Sequence, residues 1–174
     1  EDVVSSLADV ELEAIDSAAV TLLVVPDGTG ATYFTADDGS DADEDFILTN
    51  SAAISAATDV RLFAGDDLWI QADTWVTAGE SITVRGDHPH LFGANADPGT
   101  GTRIDIDGHL DSVSILITGQ RDEDIFDLHA QSISGHTQVK GDTDGLAGGE
   151  DFFLLDHLPS ITTEHDRPGD GLER

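Results

Sequence analysis

The stretch from Val60 to Val84, VRLFAGDDLWIQADTWVTAGESITV, carries the reading of the fold. Apolar residues alternate with polar ones in Val60-Arg61-Leu62 and again in Ile82-Thr83-Val84, a period of two in which successive side chains point to opposite faces of a strand. Between them Leu68-Trp69-Ile70 and Trp75-Val76 are too short for helices. Gly65-Asp66-Asp67, Ala72-Asp73 and Ala78-Gly79 interrupt the runs with turn-forming residues. The same texture extends outward. Ile104-Asp105-Ile106 and Val113-Ser114-Ile115-Leu116-Ile117 are strand-like and rich in β-branched residues, which predicts an all-β chain.

Toward the N-terminus the pattern is less decided. Within Ser5 to Ser17, Leu7, Val10, Leu12 and Ile15 could line a helix, but Val10, Leu12 and Ala14 alternate equally well as a strand. Ser17 to Pro26 (SAAVTLLVVP) is a continuous apolar run that ends in Pro26-Asp27-Gly28, as a buried strand before a turn would.

An internal repeat runs through the middle of the chain. Glu44-Asp45-Phe46-Ile47-Leu48, Asp66-Asp67-Leu68-Trp69-Ile70, Glu123-Asp124-Ile125-Phe126-Asp127-Leu128 and Glu150-Asp151-Phe152-Phe153-Leu154-Leu155 each place an acidic pair before an apolar strand. A second short apolar step follows at Ala53-Ile54, Trp75-Val76, Ser132-Ile133 and Ser160-Ile161. An alternating strand ending in Gly often precedes the pair. One unit of three short strands with their turns needs about 20–30 residues and cannot bury its own apolar face, so units must stack. The expected fold is therefore a parallel β-solenoid, or β-helix, with coils of about 20–30 residues, and a β-sandwich is the alternative. The expected organisation is an N-terminal strand or cap region over 1–36, a repeat-built solenoid over 37–161, and an acidic tail or link to a following repeat over 162–174. The expected inward ladder comprises Leu48, Ile54, Leu62, Ile70, Val76, Val84, Ile106, Ile117, Leu128, Ile133, Leu155 and Ile161, and Trp69 and Trp75 are also expected in the core.

Composition bears on partners. The 174 residues carry 36 Asp and Glu against 7 Lys and Arg, a formal charge of −29. Phosphate contacts need basic clusters that this chain lacks, so nucleic acid is not an expected ligand. Self-repulsion of that size favours bound cations. Most of the acids are Asp, whose short carboxylate suits turns and calcium loops. There is no Cys and hence no disulfide, and no run of about 18 apolar residues that would insert in a membrane. Glu1 and Asp2 do not open a signal peptide, so the chain reads as a mature piece or an excerpt.

Calcium takes six to eight oxygen ligands, which closely spaced Asp residues in Gly-containing loops supply. The candidate metal ligands are Asp41, Asp43 and Asp45 in Asp37 to Asp45, the pair Asp66 and Asp67, then Asp122 and Asp124, Asp142 and Asp144, and Asp151. None of these loops has the EF-hand order. His88-Pro89-His90 offers too few ligands for zinc. No Gly-x-Ser-x-Gly elbow or phosphate-binding Gly-Lys-Ser/Thr loop is present, and the chain is expected not to be an enzyme.

Thr137 to Leu155 (TQVKGDTDGLAGGEDFFLL) and Gly119 to Leu128 (GQRDEDIFDL) resemble the degenerate glycine, acid, acid, apolar-strand repeats of giant bacterial secreted and surface proteins. Those adhesin-like and matrix proteins are grouped with the hemolysin-type calcium-binding repeats. The resemblance spans roughly residues 39 to 161. The strict tandem nonapeptide does not occur, and Gly148-Gly149-Glu150-Asp151-Phe152 only approaches it. The resemblance implies an extracellular or cell-surface structural segment that responds to calcium. Self-association end to end or into filaments, and contact with extracellular polysaccharide or a cell surface, are the expected interactions. The alternative is a carbohydrate-binding module or a β-helical polysaccharide lyase or hydrolase, with Trp69, Trp75 and Phe92 as sugar-stacking candidates.

Overall fold

A computed structural model describes residues 46–48, 52–86, 101–119, 123–141 and 151–156 in full, and strands at 2–4, 10–14, 18–20, 22–24, 30–35 and 161–164 in their backbone. The chain is all-β. In order the strands are β1 (Asp2–Val4), β2 (Val10–Ala14), β3 (Ala18–Val20), β4 (Leu22–Val24), β5 (Gly30–Thr35), β6 (Phe46–Leu48), β7 (Ala53–Ala56), β8 (Asp59–Phe63) and β9 (Leu68–Ile70). They continue as β10 (Trp75–Ala78), β11 (Ser81–Arg85), β12 (Arg103–Ile106), β13 (His109–Thr118), β14 (Ile125–Leu128), β15 (Ser132–Lys140), β16 (Phe152–Leu155) and β17 (Ile161–Glu164). Val10 to Ala14 is thus a strand, and the apolar run after Ser17 is two strands, β3 and β4, that enter different sheets.

All described ladders are parallel, in a sheet of eleven strands and a sheet of six ordered β16-β14-β12-β9-β6-β3. The path of the larger sheet runs from β1 through β4, β7 and β10 to β13 and returns through β11, β8 and β5 to β2, a nearly barrel-like course. This corrects the expectation of a β-solenoid built of three-strand coils, which the structure does not show. The reason lies in β13. Its ten residues form one strand that pairs with β10 through His109, Leu110 and Asp111 and with β11 from Ser114 to Thr118. The β7–β10 and β8–β11 sets, two of the short strands expected in each unit, are thereby joined in one sheet. The alternative of a β-sandwich also fails, because that architecture is built from antiparallel sheets.

The register explains the core. Phe46, Leu68, Ile104 and Phe126 are successive partners in the six-stranded sheet, as are Leu48, Ile70, Ile106 and Leu128, and all eight are at most 2% exposed. In the larger sheet Leu62, Val84, Ile117 and Val139 make a comparable row with no exposed surface. Each such side chain contributes about 1.5–3 kcal/mol on leaving water. Strands such as β8 and β11 alternate buried and half-buried positions, as period two requires when one face is covered.

Of the expected inward residues, Leu48, Ile54, Leu62, Ile70, Val76, Val84, Ile106, Ile117 and Leu128 are buried. Ile133 is partly buried against the core, whereas Leu155 is 41% exposed. Ile161 lies in β17, whose side chains are outside the described residues. Neither Trp is in the core: Trp69 is half-buried and Trp75 is 51% exposed.

Matching the four repeat segments by their acidic pairs misplaces the last two. The structure pairs Ile104 with Phe126 and Phe126 with Phe153, so Ile125 and Phe152 are each one residue earlier than the position of Phe46 and Leu68. Between β13 and β15 the register also shifts after Asp111 and Ser134, with Ser112 and Val113 facing Gly135 alone. Gly135 has a φ of 133°, a backbone state open to Gly and strained for other residues.

Candidate functional site

Two acidic constellations emerge, one inside the turns and one on the outer face of the six-stranded sheet. The inner one involves four of the expected metal ligands, Asp66, Asp67, Asp124 and Asp151. Asp67 Oδ1 accepts the N–H of Arg103 at 2.7 Å, and the Asp66 carbonyl accepts the Thr102 hydroxyl at 2.7 Å. Asp124 has no exposed surface, and its Oδ1 accepts the Thr102 N–H at 3.1 Å. The N–H of Asp124 in turn donates to Asp151 Oδ1 at 3.3 Å. The carboxylates of Asp67, Asp124 and Asp151 each accept an N–H at the entry of the neighbouring strand, and that of Thr102 is buried, where it would otherwise lack an acceptor.

Glycine makes the room. A Cβ at Gly119 would collide with the Asp124 carboxylate, and one at Gly141 with that of Asp151. The sequence motif of a strand ending in Gly with an acid farther on thus has a steric cause. Asp41, Asp43, Asp45, Asp122, Asp142 and Asp144 lie outside the described residues. Among the described residues no group of three or more His, Asp or Glu side chains is arranged to hold a metal ion.

The outer constellation was not anticipated. In β12 and the turn after it, Arg103, Asp105 and Asp107 alternate with buried Ile104 and Ile106, so all three face outward. Asp105 is the register partner of Trp69 on one side and Asp127 on the other. Arg103 bridges Asp127 at 2.9 Å and Asp105 at 3.5 Å, while His129 Nε2 lies 2.7 Å from Asp127 Oδ1 and His129 Nδ1 3.8 Å from Asp156. Burial raises the pKa of the Asp105 carboxyl above its usual value, and the charges of Asp107 and Asp127 push the same way against the opposing effect of Arg103 and His129.

Beside these groups is a cavity of about 160 Å³ lined by Trp69, Ile70, Gln71, Asp105 and Asp107. Its rim is fixed by the backbone, since the N–H groups of Asp107 and Gly108 both donate to the Ile70 carbonyl, at 2.8 and 3.2 Å. The signal for this face was present in Arg103-Ile104-Asp105-Ile106-Asp107 and in Asp127-Leu128-His129, where every outward position is charged or titratable. On the larger sheet, exposed Trp75 stacks on His109 with ring centroids 3.7 Å apart, and His109 Nδ1 is 2.7 Å from the Ser132 hydroxyl.

No family model, no curated protein and no solved structure matches the chain.

Proposed function

We propose that this chain is a non-enzymatic structural segment that associates with further copies of itself, with calcium offsetting the charge of its acidic turns, in an extracellular or cell-surface setting. The observation that carries this reading is Leu155. It occupies an inward register position, partnered with fully buried Leu128, yet it is 41% exposed. The strand that holds it, β16, is the edge of the six-stranded sheet, and Phe152 and Leu154 on the same strand are 46% and 51% exposed. An edge strand with apolar side chains is a template for another strand.

The opposite edge of the same sheet is β3. Because the sheet is parallel throughout, β3 of a second copy can extend it beyond β16 in the sense in which β16 extends it beyond β14. Such a contact is heterologous and propagates from copy to copy. A charge of −29 on every copy opposes it, which gives cations a role. Calcium suits Asp-rich turns because it accepts carboxylate and carbonyl oxygens together. Electron microscopy of the protein in millimolar calcium tests the reading: end-to-end particles support it, and isolated particles at every concentration oppose it.

A further inference from the structure

The cavity beside Trp69 has a composition that the structural role does not use. Its volume of about 160 Å³ is well under the roughly 300–1,000 Å³ of pockets that enclose drug-sized ligands, so it suits a single ring. One wall is the half-buried indole of Trp69, held at the middle of β9 by pairing with β6 and β12. Asp105, Asp107 and Gln71 also line the cavity, and a Gln amide carries both a donor and an acceptor.

Charge decides the kind of ring. Arg103 and His129 are drawn to Asp127, at 2.9 and 2.7 Å, and Arg103 reaches Asp105 only at 3.5 Å. Asp105 thus shares Arg103 with Asp127, while Asp107 has no ion-pair partner among the described residues, and an incoming cation beside Asp107 would relieve the repulsion between the two acids. A uronate or other anion is disfavoured there. An aromatic face attracts both the C–H face of a sugar ring and a nearby cation.

We propose that this cavity binds one hexosamine unit, with its ring against Trp69 and its protonated amino group between Asp105 and Asp107. The site is independent of the β16 edge, so it stands whether or not the chain assembles.

The test is tryptophan fluorescence on the full chain carrying Trp75→Phe, so that Trp69 is the reporter. Titrations with glucosamine, glucose, N-acetylglucosamine and methylammonium separate the contributions of ring and charge. The expected result is saturable quenching by glucosamine with at least tenfold higher affinity than any of the other three. Asp107→Asn should weaken glucosamine binding about tenfold and leave glucose unchanged. Equal binding of glucose and glucosamine would overturn the assignment of the amino group, and methylammonium as tight as glucosamine would overturn the sugar. No saturable response to glucosamine would overturn the site. The ligand comparison needs no substitution at the cavity, so the outcome does not depend on the folding of Asp107→Asn.

Discussion

Asp124 and Thr102 are joined by a hydrogen bond of 3.1 Å from the Thr102 N–H to a carboxylate with no exposed surface. An acid that the sequence offers as a metal ligand in a turn is therefore part of the interior. Asp124→Ala leaves a buried N–H without its acceptor and is expected to cost about 1–3 kcal/mol. Chemical denaturation with and without chelator checks this, and the loss should be the same in both, because the bond is to backbone.

Gly119 belongs to the same contact. Gly119→Ala places a methyl group where the Asp124 carboxylate sits. The expected loss is about 1–3 kcal/mol, as for other overpacked sites. In the double variant Gly119→Ala with Asp124→Ala the two losses should fall short of their sum, since each removes what the other disturbs. Strict additivity in denaturant melts would contradict the shared contact.

Asp105 gives a pH dependence of definite sign. Its pKa is raised above the usual 3.8 by burial first and by Asp107 and Asp127 next. A carboxyl that holds its proton more tightly when folded opposes folding once ionised, so stability falls as pH rises from 3.8 through the raised value. Asp105→Asn should therefore be more stable than the parent at neutral pH, and the gain should vanish below pH 3.8. Melting curves across that range measure it, and a variant that is less stable at neutral pH would show that the Arg103 contact outweighs the repulsion.

Period-two alternation made the core legible before the structure, because an inward Leu62, Val84 or Ile106 needs only its own strand to be recognised. Register was not legible in the same way. Ile125 and Phe152 add one residue between the acid and the inward position, and the acidic pairs look alike with or without it. The joining of two strand sets through β13 was hidden for a related reason: Ser112 and Val113 read as ordinary strand residues, and only their pairing against Gly135 reveals the shift. The outer face escaped notice because Asp105 lies far in sequence from Asp127 and His129 and becomes their neighbour only through the pairing of β12 with β14. Trp69 and Trp75 were expected inside on hydrophobicity, but each stands at an outward position next to a buried neighbour, Ile70 and Val76.

Calcium should act on the fold beyond its ionic strength. A ligand that binds only the folded state stabilises it by about 2.7 kcal/mol at a hundredfold excess over its Kd, whereas sodium chloride screens charge without occupying sites. Thermal melts in chelator, in millimolar calcium and in sodium chloride of equal ionic strength compare the two. A rise in Tm with calcium alone is expected, and equal rises would reduce the acidic turns to a solvated surface.

Self-association through β16 is most directly measured by sedimentation velocity over a range of protein concentrations in millimolar calcium, with Leu155→Lys beside the parent. The substitution places a charge at the open end of the row that runs through Leu128. The account predicts oligomers that lengthen with concentration for the parent, fewer of them in chelator, and a monomer for Leu155→Lys with its fold intact by circular dichroism. A parent that stays monomeric in calcium at every concentration, or a Leu155→Lys variant that associates as the parent does, would contradict it.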